Sequence, residues 1–347
     1  MKKLLLTLLL YGLFANAQTI TFTDANFKAK LLAAGEWYPN QIAKNLSDTY
    51  FKIDSNDDGE IQQSEALQVK ELNITDSNIS SLEGIQYFAN LTFLSCDSNQ
   101  LTSLNVSSNT ALSKLECGNN QLTNLNFSNN TALTYLDCSA NQLTNLNVNN
   151  NSDLNELYCS CNQLTNLNVS NNSALIQLAC GYNQLTSLNV INHNALLYLG
   201  CNGNQLTSLN VNGAISLYNL VCYSNLLTSL DVSSNPALFN LECLYNQLTN
   251  LNVNGATALY YLNCSYNQLT SLDVSSNTAL TILCCNDNQL TNLNVNGSTA
   301  LTSLVCNNNQ LTSLNVANNT ALGGLDCNSN QLSSLNVSNN IALIGLS

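Results

Sequence analysis

From about Val69 to the carboxyl end, apolar and polar positions follow one pattern of fixed period. Cys96, Cys117, Cys138, Cys159, Cys180, Cys201, Cys222, Cys243, Cys264, Cys285, Cys306 and Cys327 recur every 21 residues. Around each, the unit reads L-x-x-L-x-C-x-x-N-Q-L-T-x-L-N-V, followed by a polar turn such as Ser107-Ser108-Asn109-Thr110-Ala111. The L-x-C segment alternates with period two, so Leu136 and Cys138 face inward while Tyr135, Asp137 and Ser139 face outward. A second alternation at Leu146-Asn147-Val148 predicts another short strand. Such a coil cannot bury its apolar side alone, and stacking on identical neighbours is the solution. Two short strands per coil, paired into parallel sheets, are the expectation.

The asparagine at the end of L-x-C-x-x-N holds the same phase from Asn99, Asn120, Asn141 and Asn162 on to Asn330. An inward amide at that turn can satisfy backbone groups that no strand reaches, and can stack on its copies in adjacent coils. One asparagine is explained by turn preference; twelve in register point to a ladder. The motif resembles the leucine-rich repeat, with Cys in the third apolar slot, and covers roughly Val69 to the end. The first copy, Val69-x-x-Leu72-x-Ile74 running to Tyr87, is one residue longer and has Ser77 at the ladder position. It resembles the repeat of internalin-type bacterial surface proteins. The resemblance implies a β-rich leucine-rich-repeat solenoid, a right-handed coil with parallel sheets. The outer T-x-L-N-V segment is no wider than a strand, so only gentle curvature is expected.

Three readings suit the cysteine column: small buried reduced thiols in a slot equivalent to Leu, disulfides between adjacent coils, or a metal site. No His groups with the column, which disfavours the metal, and stacked parallel strands give poor disulfide torsions. Cys161 and Cys284 fall outside the register.

Residues 18–68 read as a cap over the first coil. Asp24 precedes Phe27, Leu31 and Ala34 at helical spacing, with Gly35 as a stop. Ile42, Leu46 and Ile53 suggest a second amphipathic helix. The stretch from Asp54 to Glu65 then matches an EF-hand calcium loop: Asp54, Asn56 and Asp58 at positions 1, 3 and 5, Gly59 at 6, Ile61 at 8 and Glu65 at 12. Glu60 would offer its carbonyl, Gln62 a water, and Glu65 a bidentate carboxylate. A structural calcium clamping the cap is expected, on a truncated motif with a short exit helix; an acidic surface turn is the plain alternative.

Composition narrows the partners. Net charge is -13 although only 8% of residues are charged. There is no Arg, and past Lys70 the only basic residue is Lys114, too few for a nucleic-acid footprint. Lys2 and Lys3, the apolar run Leu4 to Phe14, and Ala15-Asn16-Ala17 read as a signal peptide over residues 1–17. No transmembrane span follows, so an exported, extracellular or outer-surface protein is expected. The final coil stops at Leu343-x-x-Leu346-Ser347 without a capping segment, which suggests that a further domain follows.

Catalysis finds little support. His193 reads as a solvated turn residue in a slot held elsewhere by Asn. Glu116, Asp137, Glu156 and Glu242 stand apart on the exposed face, without a convergent acid–base pair. The outward slots beside the cysteines carry Tyr135, Tyr158, Tyr182, Tyr198, Tyr218, Tyr223, Phe239, Tyr245, Tyr260, Tyr261 and Tyr266. Tyr gives a large amphipathic contact area at low entropic cost, so this face is the expected docking site for a protein or glycan. That Tyr merely suits a strand explains the same residues without a ligand. A structural spacer displaying another domain is the rival role. The regular Thr and Asn array of Thr102, Asn105 and their equivalents raises a third, ice binding.

Overall fold

The computed structural model describes residues 18–347; the signal-peptide reading at 1–17 falls outside the described residues. The chain divides into two compact units, one ending at Gln163 and one spanning Leu164–Ser347. Both are β-solenoids built from the same coil.

In the first unit, helix α1 (Ala25–Leu32) is capped by Asp24, whose Oδ1 accepts the Phe27 N–H at 2.9 Å, and it buries Phe27 and Leu31. The other oxygen of Asp24 accepts from Ser80 N and Oγ, both at 2.7 Å, which joins the cap to the first repeat. The expected second helix does not form. Residues Ala43–Asn45 are a strand, β1, antiparallel to β2 (Val69–Asn73), and Leu46 is exposed. The side-chain oxygen of Asn45 accepts from Ser47 N, Thr49 N and Thr49 Oγ1, a local turn that competes with helix. The exit helix of the acidic loop, α2 (Gln63–Ala66), is one turn long, as its distance from β2 requires.

From β2 the main sheet of the first unit runs in parallel through Phe93–Ser95, Lys114–Glu116, Tyr135–Asp137 and Glu156–Tyr158. The second unit repeats the arrangement from Gln177–Ala179 through Tyr198–Gly200, Asn219–Val221, Asn240–Glu242, Tyr261–Asn263 and Ile282–Cys284, and on to Gly345–Leu346. Each strand has only two or three residues beyond β2, so columns of side chains supply the cohesion. Leu136, Cys138, Leu143 and Val148 are fully buried, and their equivalents recur in every internal coil. A buried Leu contributes about 2 kcal/mol.

None of the fourteen cysteines is in a disulfide, and the twelve in register are buried. Burial pushes the Cys180 and Cys222 thiols up to about 12, so the columns hold neutral thiols. The asparagine ladder forms as expected, but through backbone. Asn141 Nδ2 donates to Cys117 O at 3.0 Å and Cys138 O at 3.1 Å, while its Oδ1 accepts Leu122 N at 2.9 Å. Each amide thus pins its own coil to the one before.

The second sheet departs from expectation. It is reduced to pairs: Leu104–Asn105 with Leu125–Asn126, Ser229–Asp231 with Asn250–Asn252, and Ser271–Asp273 with Asn292–Asn294. The Asn or Asp between Leu and Val folds its oxygen back onto the N–H two residues on, as Asn147 does to Asn149 and Asp231 to Ser233, at 3.1 and 2.9 Å. These Asx turns close the outer segment in paired and unpaired coils alike, so no outer strand runs past the Asn or Asp.

Candidate functional site

Ten of the eleven outward aromatic residues separate into three files, distinguished by their place on the coil, and the eleventh, Tyr223, directly follows Cys222. Tyr135, Tyr158, Tyr198 and Tyr261 lie on the strands of the main sheet and are half-buried. Tyr218, Phe239 and Tyr260 immediately precede strands in consecutive coils. Their rings stack nearly parallel, with centroids 4.9 and 4.8 Å apart. Such a column hides ring faces against one another and presents edges and hydroxyls outward.

The third file follows the strands. The second residue after the cysteine has a left-handed φ in one coil after another, near +50° in Asn119, Ala140, Ser224 and Asn308. Asn, Asp and Gly tolerate that region; a bulky side chain there is an outlier. Yet Tyr182, Tyr245 and Tyr266 occupy it, with φ of 52°, 52° and 54°. All three are well exposed, at 54%, 51% and 43%. Tyr245 stacks on Tyr266 at 4.4 Å, and the Tyr182 hydroxyl meets that of Tyr223 at 3.1 Å. The Tyr182 ring lies over Gly203, where an added Cβ would come within 2.7 Å of it. Sequence reading put these tyrosines on the same face as the strand residues. The signal it missed was the phase of the turn, since the same slot holds Ser98, Asn119 and Asp287.

Some residues gain significance only from the structure. In the first unit Lys114 lies between two aromatic rings, with Nζ 5.1 Å from the Phe93 centroid and 4.4 Å from that of Tyr135, and it pairs with Glu116 at 2.8 Å. Asp97 is half-buried beside this group. Burial, followed by the nearby Asp137 and Glu116 carboxylates, pushes it up to about 6. The acids of this face therefore interact more than their sequence spacing implied.

His193 is buried rather than solvated. It occupies a second ladder, not anticipated from sequence, in which Asn109, Asn130, Asn235, Asn277, Asn319 and Asn340 turn inward from the polar turn. Asn130 Nδ2 donates to Val106 O at 3.0 Å and Asn109 O at 2.7 Å. His193 puts Nε2 3.2 Å from Val169 O, in the place of such an amide. The oxygens of these six asparagines accept no hydrogen bond.

In the acidic loop, Asp54 accepts from Asp58 N and Gly59 N, Asn56 from Asp58 N, and Asp58 from Glu60 N. Glu65 accepts from Ser55 N, Ser55 Oγ and Gln62 N, and the Glu60 carboxylate pairs with Lys28 at 2.6 Å. Gly59 adopts φ +78°. Among the described residues, no three His, Cys, Asp or Glu side chains are gathered as a metal-holding group. No helix among them is long and apolar enough to cross a membrane.

No family model matches the sequence, and no curated protein does. Solved structures do. The functional domain of InlJ from Listeria monocytogenes, described as including a cysteine ladder, is 34% identical with a TM-score of 0.80, over 95% of this chain and 71% of that one. The Leptospira interrogans leucine-rich-repeat protein LIC12759 is 25% identical with a TM-score of 0.63, over 77% of this chain and 80% of that one. The internalin InlF from Listeria monocytogenes shares the fold, at 20% identity and a TM-score of 0.67, over 94% and 95% of the two chains. With its repeat, its buried cysteine columns and its likeness to InlJ, the chain belongs to the internalin-like bacterial leucine-rich-repeat proteins.

Proposed function

We propose that this is an exported or cell-surface adhesion protein, without catalytic activity, that binds a protein through the aromatic face of its second unit. One observation carries the reading: Tyr182, Tyr245 and Tyr266 stand exposed at left-handed positions. Strand preference accounts for Tyr135 or Tyr261, but not for Tyr at a slot that suits Gly or Asn. Exposed tyrosines kept against a backbone penalty are what a recognition surface requires. Internalin-type relatives favour a protein ligand. A glycan ligand fits less well, because the stacked columns leave few ring faces free for a sugar.

The test is to present the solenoid to arrays of identified surface proteins and glycans, beside the variant carrying Tyr182→Ser, Tyr245→Ser and Tyr266→Ser, since Ser already fills that slot at Ser98, Ser224 and Ser329. A recognition surface loses most of its protein binding in that variant, whereas a spacer binds equally little in both forms. Ice binding draws less support, since oxygens of the Asn array are already engaged in Asx turns.

We further propose a weak structural calcium in the cap. Three carboxylates, an amide oxygen and a carbonyl in one loop have the chemistry of a hard-cation site. Asp54, Asn56, Asp58, Glu60 and Glu65 would hold the ion. Asp54 Oδ1 and Oδ2, Asp58 Oδ1 and Glu65 Oε2 each accept a single hydrogen bond, whereas Glu65 Oε1 and Asp58 Oδ2 accept two and would exchange one for the ion. Chelation is expected to lower the unfolding temperature of calcium-loaded protein by a few degrees, consistent with about 1 kcal/mol of linkage. An unchanged transition in chelator and in millimolar calcium would make the loop an ion-free clasp.

A further inference from the structure

The second unit, residues 164–347, contains no Lys or Arg, while Asp231, Glu242, Asp273, Asp287 and Asp326 all lie within it. Of these, Glu242 occupies the middle of the aromatic part of the main sheet. In register it lies beside Val221 in one neighbouring strand and Asn263 in the other. Tyr223 follows two residues after Val221, and Tyr261 precedes Asn263 by two, so both tyrosines sit diagonally next to the carboxylate on the same face. Its own strand adds only the neutral Asn240, which donates to Glu242 Oε1 at 3.2 Å. The negative field reaches the rings. Hydrogen bonding to Tyr182, burial and then the charges of Tyr182 and Glu242 push Tyr223 up to about 12. Burial and then Glu242 raise Tyr198.

The first unit contains a filled version of the same chemistry. There Lys114 completes the set, held by Glu116 and by the rings of Phe93 and Tyr135. A cation between aromatic rings and a carboxylate gains from both the ring quadrupole and the charge. In the second unit the rings and the carboxylate are present, and that unit has no Lys or Arg of its own.

We propose that Glu242, with Tyr223 and Tyr261, receives a lysine or arginine side chain from the protein partner, so the partner presents a basic patch to this face. The inference rests on the protein-binding reading above and specifies the chemistry of the partner. A short Gly-Lys repeat peptide is the probe, titrated at low salt into full-length protein carrying carbon-13-labelled tyrosine and followed by nuclear magnetic resonance. Its ε-acetylated counterpart, equal in length but uncharged, is the control. The lysine peptide is expected to shift the Tyr223 and Tyr261 signals and the acetylated peptide to leave them in place. Glu242→Gln, which keeps the shape and the bond from Asn240, should weaken binding about fivefold. Asp326→Asn, on the same sheet without flanking tyrosines, should not change it. Equal shifts with both peptides, no shift with either, or equal weakening by the two substitutions would overturn the proposal. Should the triple-serine variant still lose its protein ligand, only the charge assignment falls. Should that variant bind as before, the protein-binding reading falls with it.

Discussion

At the scale of single residues, one coil position decides more than the rest. The second residue after each cysteine has to turn left-handed, and coils that place Ser, Asn or Gly there meet the demand with little strain. Ala140 does not, at φ 51°. Ala140→Gly is expected to raise stability by about 0.5 kcal/mol, the relief of the Cβ clash less the added freedom of the unfolded chain. Gly203→Ala, at φ 64° and against the Tyr182 ring, should lower it. Urea unfolding of both variants reads the signs. A second residue-level expectation concerns Asp97, which is raised from 3.8 to about 6. The folded chain keeps a proton there that the unfolded chain releases. Stability should therefore fall as pH rises through that window. Asp97→Asn should flatten this part of the pH profile of the unfolding midpoint, and an unaltered slope would exclude Asp97 as its source.

At the scale of elements, strands of three residues are too short to hold a sheet by themselves, and the two ladders make up the difference unequally. Asn141 uses both ends of its amide, donating to Cys117 O, Cys138 O and Ser139 O and accepting from Leu122 N. Asn130 donates twice and accepts nothing. Asn141→Ala should cost roughly 3 kcal/mol and Asn130→Ala nearer 1.5 kcal/mol, measured as the difference in denaturant midpoint. The chain already tolerates Ala214 and Ala256 at the second ladder. Gly255 precedes one of them, and an added Cβ there would meet Ser233 O at 1.7 Å. Here the sequence was legible in part. The first ladder, the cysteine column, α1 and its Asp24 cap follow from spacing alone. The second ladder escaped notice because Asn in a polar turn looks like any turn residue, and burial there depends on how coils nest. The Ile42, Leu46 and Ile53 spacing suggested a helix, but pairing with β2 and the Asn45 turn prevailed. The outer strand was expected throughout, yet among the described residues it forms in three short pairs, each ended by an Asx turn.

For the whole molecule, the division of labour is between positions that repeat and positions that vary. Repeated Leu, Cys, Val and Asn supply cohesion, and the outward slots are largely free of that duty, so they can carry recognition. The aromatic content of that face was visible in sequence. Its sorting into strand, pre-strand and left-handed files was not, because the three slots differ only in backbone conformation. The most direct test is a tyrosine nitration footprint, read by mass spectrometry, of the solenoid alone and with a protein ligand identified on the arrays. The account predicts that Tyr182, Tyr245 and Tyr266 are nitrated in the free protein and protected by the ligand. Bound ligand that leaves those three as reactive as before would contradict it.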